Sequence, residues 1–289
     1  MSRVEPWAIL DIDPERIKRI VRAAVEEDVG LRDATTEATV DAAARATGVF
    51  VAKQPLLIAG LDVALEVFHT VDPAITWETR AREGDRFDAG HLIASVTGSA
   101  RGILTGERVA LNFLQRMSGV ATQTRAFVDA VAGTRAKIRD TRKTTPLLRL
   151  LEKRAVLVGG GVPHRSGLDT GILVKDNHVL MAGSVGEATR RAVAAAQGLF
   201  VEIEVDRPDQ IDEALAAGAE MLLLDNFTPE QVAAAVARLT GRIPIEVSGG
   251  IRLDNVRAYA EAGPDYIAVG ALTHSAPAVD ISLDLERVE

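Results

Sequence analysis

The sequence contains no cysteine, and that absence excludes disulfide bonds, thiolate metal sites and cysteine nucleophiles together. No apolar stretch approaches the roughly 20 residues that a membrane-spanning helix needs. The first twenty residues also lack the apolar segment of a secretory signal, so we expect none. The net charge of -8 argues against nucleic acid or an anionic membrane as a partner. We therefore expect a cytoplasmic enzyme or binding protein.

A dense group of basic side chains stands between residues 140 and 178 of this acidic chain. The group lies around Gly159-Gly160-Gly161 and consists of Arg142, Lys143, His164, Arg165 and Lys175. Fixed cations beside flexible glycine backbone are typical of a site for a small, multiply anionic ligand. A solvated basic face is the ordinary alternative. The apolar runs between the cations favour the binding site.

The first part of the chain has the pattern of a small α+β domain. Pro14 suits the first turn of an amphipathic helix, and Gly30 suits its end. A long helical pattern comes later, and we expect Ser118-Gly119 to break or kink it. The predicted helices lie at 14–29, 60–71 and 105–131, and the predicted strands at 48–52, 75–78 and 92–96.

From about residue 136, short β-branched runs alternate with alanine-rich helices, which predicts parallel strands covered by helices. No G-x-G-x-x-G motif follows a strand, which disfavours a dinucleotide-binding fold. Six or seven units favour a parallel barrel, closed or incomplete, over an open doubly wound sheet. The strands are predicted at 137–140, 172–175, 201–204, 221–225, 243–247 and 266–269, and the helices at 184–197, 208–217, 229–239 and 253–262.

Two glycine turns follow the last two predicted strands, where parallel barrels frequently bind phosphate. Ser248-Gly249-Gly250 and Val269-Gly270-Ala271 expose backbone N–H groups, and such nests bind a phosphate monoester. Plain structural turns are the alternative. His274 either assists the phosphate site or is structural.

Glu204 and Asp225 end adjacent predicted strands and are expected to converge. Such a pair can hold Mg²⁺ through water or bind a ribose diol. Acid–base catalysis and salt bridges to Lys175 are the alternatives. Lys175 itself is either a Schiff-base lysine or, kept protonated by the carboxylates, a binder of phosphate or carboxylate.

A phosphate nest, a carboxylate pair and a cationic pocket together describe phosphoribosyl transfer to an acidic acceptor. Several motifs strengthen this interpretation: TGERVALNFLQRMSG at 105–119, DTRKT at 140–144, GGGVPHRSGL at 159–168, LVKDNH at 173–178, EIEVD at 202–206, LLDNF at 223–227, EVSGGI at 246–251 and AVGALTHS at 268–275. Through them the chain resembles the quinolinate phosphoribosyltransferase family over essentially its whole length.

The resemblance implies an N-terminal α/β sandwich domain and an incomplete parallel α/β barrel of the type II phosphoribosyltransferase kind. We place the sandwich domain at 1–115 and the barrel at 116–275, followed by a tail at 276–289 that is expected to pack on the first domain. The resemblance further implies a homodimer with a shared active site, quinolinate and phosphoribosyl pyrophosphate as substrates, and Mg²⁺ as cofactor.

The resemblance also assigns roles to individual residues. The quinolinate-binding set is Arg108 of the partner subunit, Thr141, Arg142, Lys143, His164, Arg165 and Lys175. The phosphoribosyl pyrophosphate set is Lys143, Lys175, Glu204, Asp225, Ser248, Gly249, Gly250, Val269, Gly270, Ala271 and His274. Lys143, Lys175, Glu204 and Asp225 are the expected catalytic residues. Glu204 and Asp225 are the expected Mg²⁺ ligands, directly or through water.

Two positions depart from the family's pattern. Arg154 replaces a frequent aromatic residue, and Pro163 replaces a common polar residue; both are expected to alter loop shape without removing a ligand. The alternatives to quinolinate transfer are a paralogous phosphoribosyltransferase with another acid acceptor, a Schiff-base aldolase acting through Lys175, and a non-catalytic sensor. The complete dicarboxylate-binding set favours quinolinate.

Overall fold

The computed structural model describes residues 13–239 and 241–288. The helices of these residues are α1 Pro14–Val29, α2 Ala34–Thr39, α3 Leu61–Val71, α4 Ala100–Ala130, α5 Arg149–Val158, α6 Asp176–Ala182, α7 Val185–Ala194, α8 Gln210–Ala216, α9 Pro229–Leu239, α10 Val256–Glu261 and α11 Ala271–His274. The strands are β1 Arg45–Ala52, β2 Leu56–Leu57, β3 Thr76–Thr79, β4 Arg86–Phe87, β5 Leu92–Ser99, β6 Lys137–Arg139, β7 Ile172–Val174, β8 Val201–Val205, β9 Met221–Asp225, β10 Ile245–Ser248, β11 Tyr266–Ala268 and β12 Ile281–Val288.

The chain divides into two compact units. The antiparallel-sheet unit contains the described residues up to 123, then 145–159 and 276–288, and the parallel-sheet unit contains 124–144 and the described residues from 160 to 275. The long helix α4 contributes residues to both units, because the division falls after Gln123.

The antiparallel-sheet unit is built on four strands in the order β12-β1-β5-β3. Alternate residues of β1 are buried, as expected of a strand with one face on a core. Phe50 of that strand packs against Phe68 and Trp77, with ring centroids 6.1 and 5.3 Å away. Strand β12, from the end of the chain, pairs with β1 along all eight residues of both strands.

Helix α4 continues through Ser118 and Gly119, so the predicted break at this point is wrong. Both residues are needed for close packing instead. A Cβ atom at position 119 would stand 2.1 Å from the carbonyl oxygen of Pro277. The buried Ser118 hydroxyl accepts a hydrogen bond from the backbone N–H of Ala59 at 3.0 Å. A small residue in this helix therefore marks a long-range contact.

The parallel-sheet unit contains six parallel strands in the order β6-β11-β10-β9-β8-β7. Residues Met221–Leu224 of β9 are buried, which explains their unbroken apolar sequence. Strands β6 and β7 stand at the two ends of this order, and Val162 forms a further parallel bridge with Arg139 of β6. The predicted α/β fold class, with a parallel sheet and a separate N-terminal sheet domain, is confirmed.

The predicted strands and helices of this unit are observed, two of them with the predicted ends and the others with ends that shift by up to three residues. The structure adds short elements that the sequence patterns did not predict, including α2, α5, α6 and β12. Within the described residues, no helix combines the length and the apolar character required to cross a membrane.

Candidate active site

A cavity of about 460 Å³ opens within the parallel-sheet unit, beside the carboxyl ends of its strands. Nine of the predicted site residues line it: Thr141, Arg142, Lys143, His164, Arg165, Lys175, Glu204, Asp225 and Ser248. Cations that are far apart in the sequence therefore meet carboxylates in one place. The location agrees with the general rule that parallel α/β proteins bind ligands at this edge of the sheet.

The loop after β6 presents two of the cations and is held in a tight turn. The Thr141 hydroxyl accepts the backbone N–H of Lys143 at 3.0 Å. The buried Thr273 hydroxyl donates to the Lys143 carbonyl oxygen at 2.8 Å. These bonds fix the backbone from which the Arg142 and Lys143 side chains extend.

The acidic end of the cavity combines Glu204, Asp225 and the ammonium group of Lys175. Lys175 precedes helix α6, and its ammonium group contacts the Glu204 carboxylate. Burial raises the pKa of Asp225, and the nearby Glu204 charge raises it further, while Lys175 and Lys143 oppose both effects. The two carboxylates therefore lie close enough to repel each other, which favours a cation beside them.

Beneath the cavity lies a network of charged side chains with no exposure to solvent. Arg139 donates to Glu246 at 2.5 Å, and its guanidinium carbon lies 3.5 Å from the centre of the Tyr266 ring. Burial raises the pKa of Glu202 to about 7, against the opposing charges of Arg139, Arg165 and Lys175. Burial, together with the charge of Glu202, raises the pKa of Glu246 too. Burial in this network therefore favours the protonated form of both carboxyl groups.

His164 joins this network to the cavity, and both of its ring nitrogens have protein partners. The backbone N–H of Arg165 donates to Nδ1 at 2.8 Å, which leaves the ring proton on Nε2. Nε2 lies 2.9 Å from Glu202 and is positioned to donate to its carboxylate. Although His164, Glu202 and Glu246 are grouped closely enough to surround a metal ion, a protonated Nε2 is not a metal ligand. The group is therefore a hydrogen-bonded network in this tautomer.

Arg165, the neighbour of His164, is also nearly buried. It donates to the carbonyl oxygen of Gly171 at 2.8 Å. Burial lowers its pKa, and repulsion from Arg142 lowers it further. Two guanidinium groups held near each other, one of them desolvated, would be stabilised by an anion between them.

The glycine turns follow β10 and β11, and Ser248 of the first turn lines the same cavity. Gly249 and Gly250 have φ values of 97° and 61°, in the left-handed region that favours glycine. At Gly270 a Cβ atom would stand 3.2 Å from both His274 Nε2 and the Lys143 side chain. Lys143, Gly270 and His274 are therefore in one place, as the predicted phosphate site requires.

Arg108 lies in helix α4 within the antiparallel-sheet unit, and its side chain is 61% exposed. Its predicted contribution to a partner's site stays a prediction. Arg154, which departs from the family's pattern, lies in the same unit and forms an ion pair with Asp62 at 2.7 Å. The arginine thus has a structural partner of its own.

The patterns did not identify Glu202, Glu246, Thr273 or Asn226 as parts of the site. A glutamate inside an otherwise apolar, buried strand is a signal that points to Glu202 and Glu246. Thr273 lies 130 positions from Lys143, so local spacing gives no sign of their contact. Asn226 directly follows Asp225, and this adjacency was the one available signal for its contact.

The chain matches the family models of both quinolinate phosphoribosyl transferase domains, the N-terminal domain over residues 33–118 and the C-terminal domain over residues 120–284. Nicotinate-nucleotide pyrophosphorylase (carboxylating) of Mycobacterium leprae is 49% identical over 282 residues, which cover 95% of this chain and 99% of that protein.

Solved structures agree with the sequence matches. NadC of Streptococcus pyogenes is 41% identical and superposes with a TM-score of 0.92, covering 96% of this chain and 99% of that one. Nicotinate-nucleotide pyrophosphorylase of Francisella tularensis is 34% identical with a TM-score of 0.91, covering 98% of this chain and 100% of that one. With both domains matched in order, the chain belongs to the quinolinate phosphoribosyltransferase family.

Proposed function

We propose that this protein is a quinolinate phosphoribosyltransferase of de novo NAD biosynthesis, located in the cytoplasm. It converts quinolinate and phosphoribosyl pyrophosphate to nicotinate mononucleotide, pyrophosphate and CO₂. The observation that carries the proposal is that Arg142, Lys143, Arg165 and Lys175 line the same cavity as Glu204 and Asp225. The matched family and the activity named for the M. leprae relative support it.

The basic side of the cavity holds quinolinate. Arg142 and Arg165 bind its two carboxylates, with Thr141 and Lys175 beside them, because guanidinium groups match the planar geometry of a carboxylate. His164 shapes this side by holding the Arg165 backbone through Nδ1. Most of the catalytic effect of these cations lies in binding and positioning the acceptor.

The opposite side holds the sugar donor. Glu204 and Asp225 bind the ribose hydroxyls, and the backbone turns at 248–250 and 269–271 bind the 5′-phosphate, with His274 beside them. The bond from ribose C1 to pyrophosphate breaks with its electron pair going to the pyrophosphate oxygen. Lys143 stabilises the charge that develops there.

The pyridine nitrogen then attacks the oxocarbenium-like C1 and becomes positively charged. Loss of CO₂ from the 2-carboxylate leaves an electron pair on ring carbon 2, stabilised by the adjacent cationic nitrogen. A proton from solvent completes nicotinate mononucleotide. No covalent enzyme intermediate is needed, and the ion pair of Lys175 with Glu204 suits a binding role better than that of a Schiff-base nucleophile.

Glu204 and Asp225 also fit a Mg²⁺ ion. Mg²⁺ prefers oxygen ligands and usually retains water, and the burial and mutual repulsion of this pair would be relieved by a cation. When bound, the ion supplies positive charge to the pyrophosphate group. Because Lys175 already pairs with Glu204, contact through water suits this site.

The proposal includes a homodimer in which Arg108 of the partner subunit completes the quinolinate pocket. Mixing inactive Arg108→Ala with inactive Lys175→Ala enzyme should partly restore activity, since a hybrid dimer retains one intact site. Subunit exchange is first verified with two affinity tags. No activity above either parent in exchanged dimers would contradict a shared site.

The decisive experiment measures pyrophosphate and CO₂ release from quinolinate and from nicotinate. We expect quinolinate to be used at least about tenfold more efficiently than nicotinate, because the second carboxylate contributes charged hydrogen bonds of about 1.5–3 kcal/mol. Pyrophosphate release from nicotinate without CO₂ would instead identify a paralogous transferase. Trapping of a carbonyl substrate by borohydride, lost in Lys175→Ala, would identify an aldolase.

A further inference from the structure

Asn226 has an unusual backbone conformation at the end of β9. Its φ of 59° lies in the left-handed region, which among the described non-glycine residues is shared with Leu147 and Gln197. Asparagine tolerates this region better than most residues because its short amide side chain bonds locally. Non-glycine residues in this region cluster at functional sites, so the contacts of the Asn226 side chain are informative.

The Asn226 side chain bonds to the acidic pair of the cavity. Its amide nitrogen donates to Asp225 Oδ2 at 2.7 Å. A hydrogen bond to an ionised oxygen is both shorter and stronger than a neutral one, so it fixes the plane of the carboxylate. Two cationic side chains, Lys175 and Lys143, approach Asp225 as charges, but a flexible ammonium group sets no plane.

The Asn226 backbone bonds to the neighbouring glycine turn. Its N–H donates to the Ser248 carbonyl oxygen at 2.9 Å, just where the β9–β10 register ends with Asp225 opposite Ser248. A Cβ atom on Gly249 would stand 2.2 Å from Asn226 Oδ1 and 2.8 Å from its backbone nitrogen. Gly249 is therefore required by the close approach of Asn226 as well as by its own positive φ.

We infer that Asn226 is a positioning residue for the sugar donor, which sets the Asp225 carboxylate and the Ser248–Gly250 turn in a fixed relation. The inference rests on the proposed assignment of Asp225 to the ribose hydroxyls and of this turn to the 5′-phosphate. The two groups bind different ends of one ribose 5-phosphate unit, so their separation has to match the ligand. Asn226 bonds to both of them.

The first test is Asn226→Gly, which keeps the left-handed backbone and removes the amide. We expect the KM for phosphoribosyl pyrophosphate to rise about tenfold, as loss of a charged hydrogen bond does. The KM for quinolinate should change less than twofold. Glycine relieves left-handed strain but frees the unfolded chain, so the thermal midpoint should stay within about 3 °C of the wild type.

Gln197→Gly is the matched control. Gln197 also has a positive φ, of 48°, and is exposed in the turn after α7, outside the lining of the cavity. Gln197→Gly should show the same small change in thermal midpoint, and its KM values should equal those of the wild type. Asn226→Asp is the second variant: it keeps the shape of the side chain and replaces the donor with a carboxylate, so its effect on the donor substrate should exceed that of glycine.

Titration with ribose 5-phosphate in metal-free buffer supplies a readout that is independent of turnover and of Mg²⁺. We expect both Asn226 variants to bind it at least fivefold more weakly than the wild type. Binding and KM values within twofold of wild type in both variants would overturn the inference, as would equal rises in the two KM values.

Asp225→Asn, assayed in parallel, separates this inference from the proposed function. If Asp225→Asn weakens sugar binding while both Asn226 variants bind normally, the Asn226 inference alone fails. If Asp225→Asn leaves sugar binding unchanged, the assignment of Asp225 to the ribose hydroxyls is wrong. The Asn226 inference, which depends on that assignment, is then wrong too.

Discussion

Glu202→Gln should make the protein more stable at neutral pH by removing a charge that the fold keeps fully buried. The Glu202 carboxylate accepts from His164, and its other oxygen, Oε1, is buried without a hydrogen-bond partner. Glutamine has nearly the same shape, and its amide oxygen can still accept from His164. The amide NH₂ would lie close to Glu246, whose Oε1 is also without a hydrogen-bond partner.

The size of the effect follows from the pKa of Glu202. Burial raises it from 4.5 to about 7, which corresponds to about 3 kcal/mol at roughly 1.4 kcal/mol per pH unit. An acid whose pKa is raised by folding holds its proton in the folded state while the unfolded chain has released it. The contribution of Glu202 to stability therefore falls as the pH rises from 4.5 to 7 and is constant above that range. The glutamine side chain of the variant does not titrate in this pH range, so the variant does not lose this stability.

Urea unfolding in metal-free buffer between pH 5 and pH 8 measures the effect, followed by far-ultraviolet circular dichroism. The free energy of unfolding of the variant, minus that of the wild type, should rise by about 2–3 kcal/mol across this range. Glu261→Gln, on an exposed helix face, controls for the loss of one negative charge. A difference that is independent of pH, or that falls with rising pH, would refute the reasoning.

Further outcomes test the site and the packing. Arg142→Ala should weaken quinolinate by more than about 1 kcal/mol, which is at least a fivefold rise in KM, with little change for the sugar donor; unchanged kinetics would remove it from the pocket. Gly119→Ala should lower the free energy of unfolding by about 2–3 kcal/mol, because the clash with the Pro277 backbone outweighs a helix-propensity gain of about 1 kcal/mol. Gly106→Ala in the same helix, where the added methyl meets a side-chain ring at 3.1 Å, should cost less, and equal losses in the two variants would contradict this account.

Local patterns were sufficient to predict most of the parallel-sheet unit. Strand β9 is apolar on both faces and ends in a carboxylate, so its sequence alone indicates a buried strand with its functional residue at the carboxyl end. The same reasoning placed Lys175 and Glu204 correctly at the ends of β7 and β8. The general rule that parallel sheets bind ligands at the carboxyl ends of their strands then predicted the position of the cavity.

Local sequence patterns could not predict contacts between distant segments of the chain. Ser118 and Gly119 indicated an interrupted helix, because a small residue can either weaken a helix or allow another segment to approach closely. At Gly119 the second reason applies, and the approaching residue, Pro277, lies more than 150 positions away. The partners of His164 were likewise hidden, since Glu202 stands 38 positions along the chain. Arg108 showed no local sign of function, and its role came from the resemblance alone.

The strand order has a consequence for how ligands and the fold affect each other. Arg142 and Lys143 follow β6, and Lys175 follows β7, so like charges from the two extreme strands of the sheet line one cavity. A polyanion bound between these cations would therefore connect the ends of β6 and β7. Thermodynamic linkage then adds about 2.7 kcal/mol to folding at a ligand concentration one hundred times Kd. Substrate supply would thus affect the thermodynamic stability of the folded protein as well as its rate of turnover.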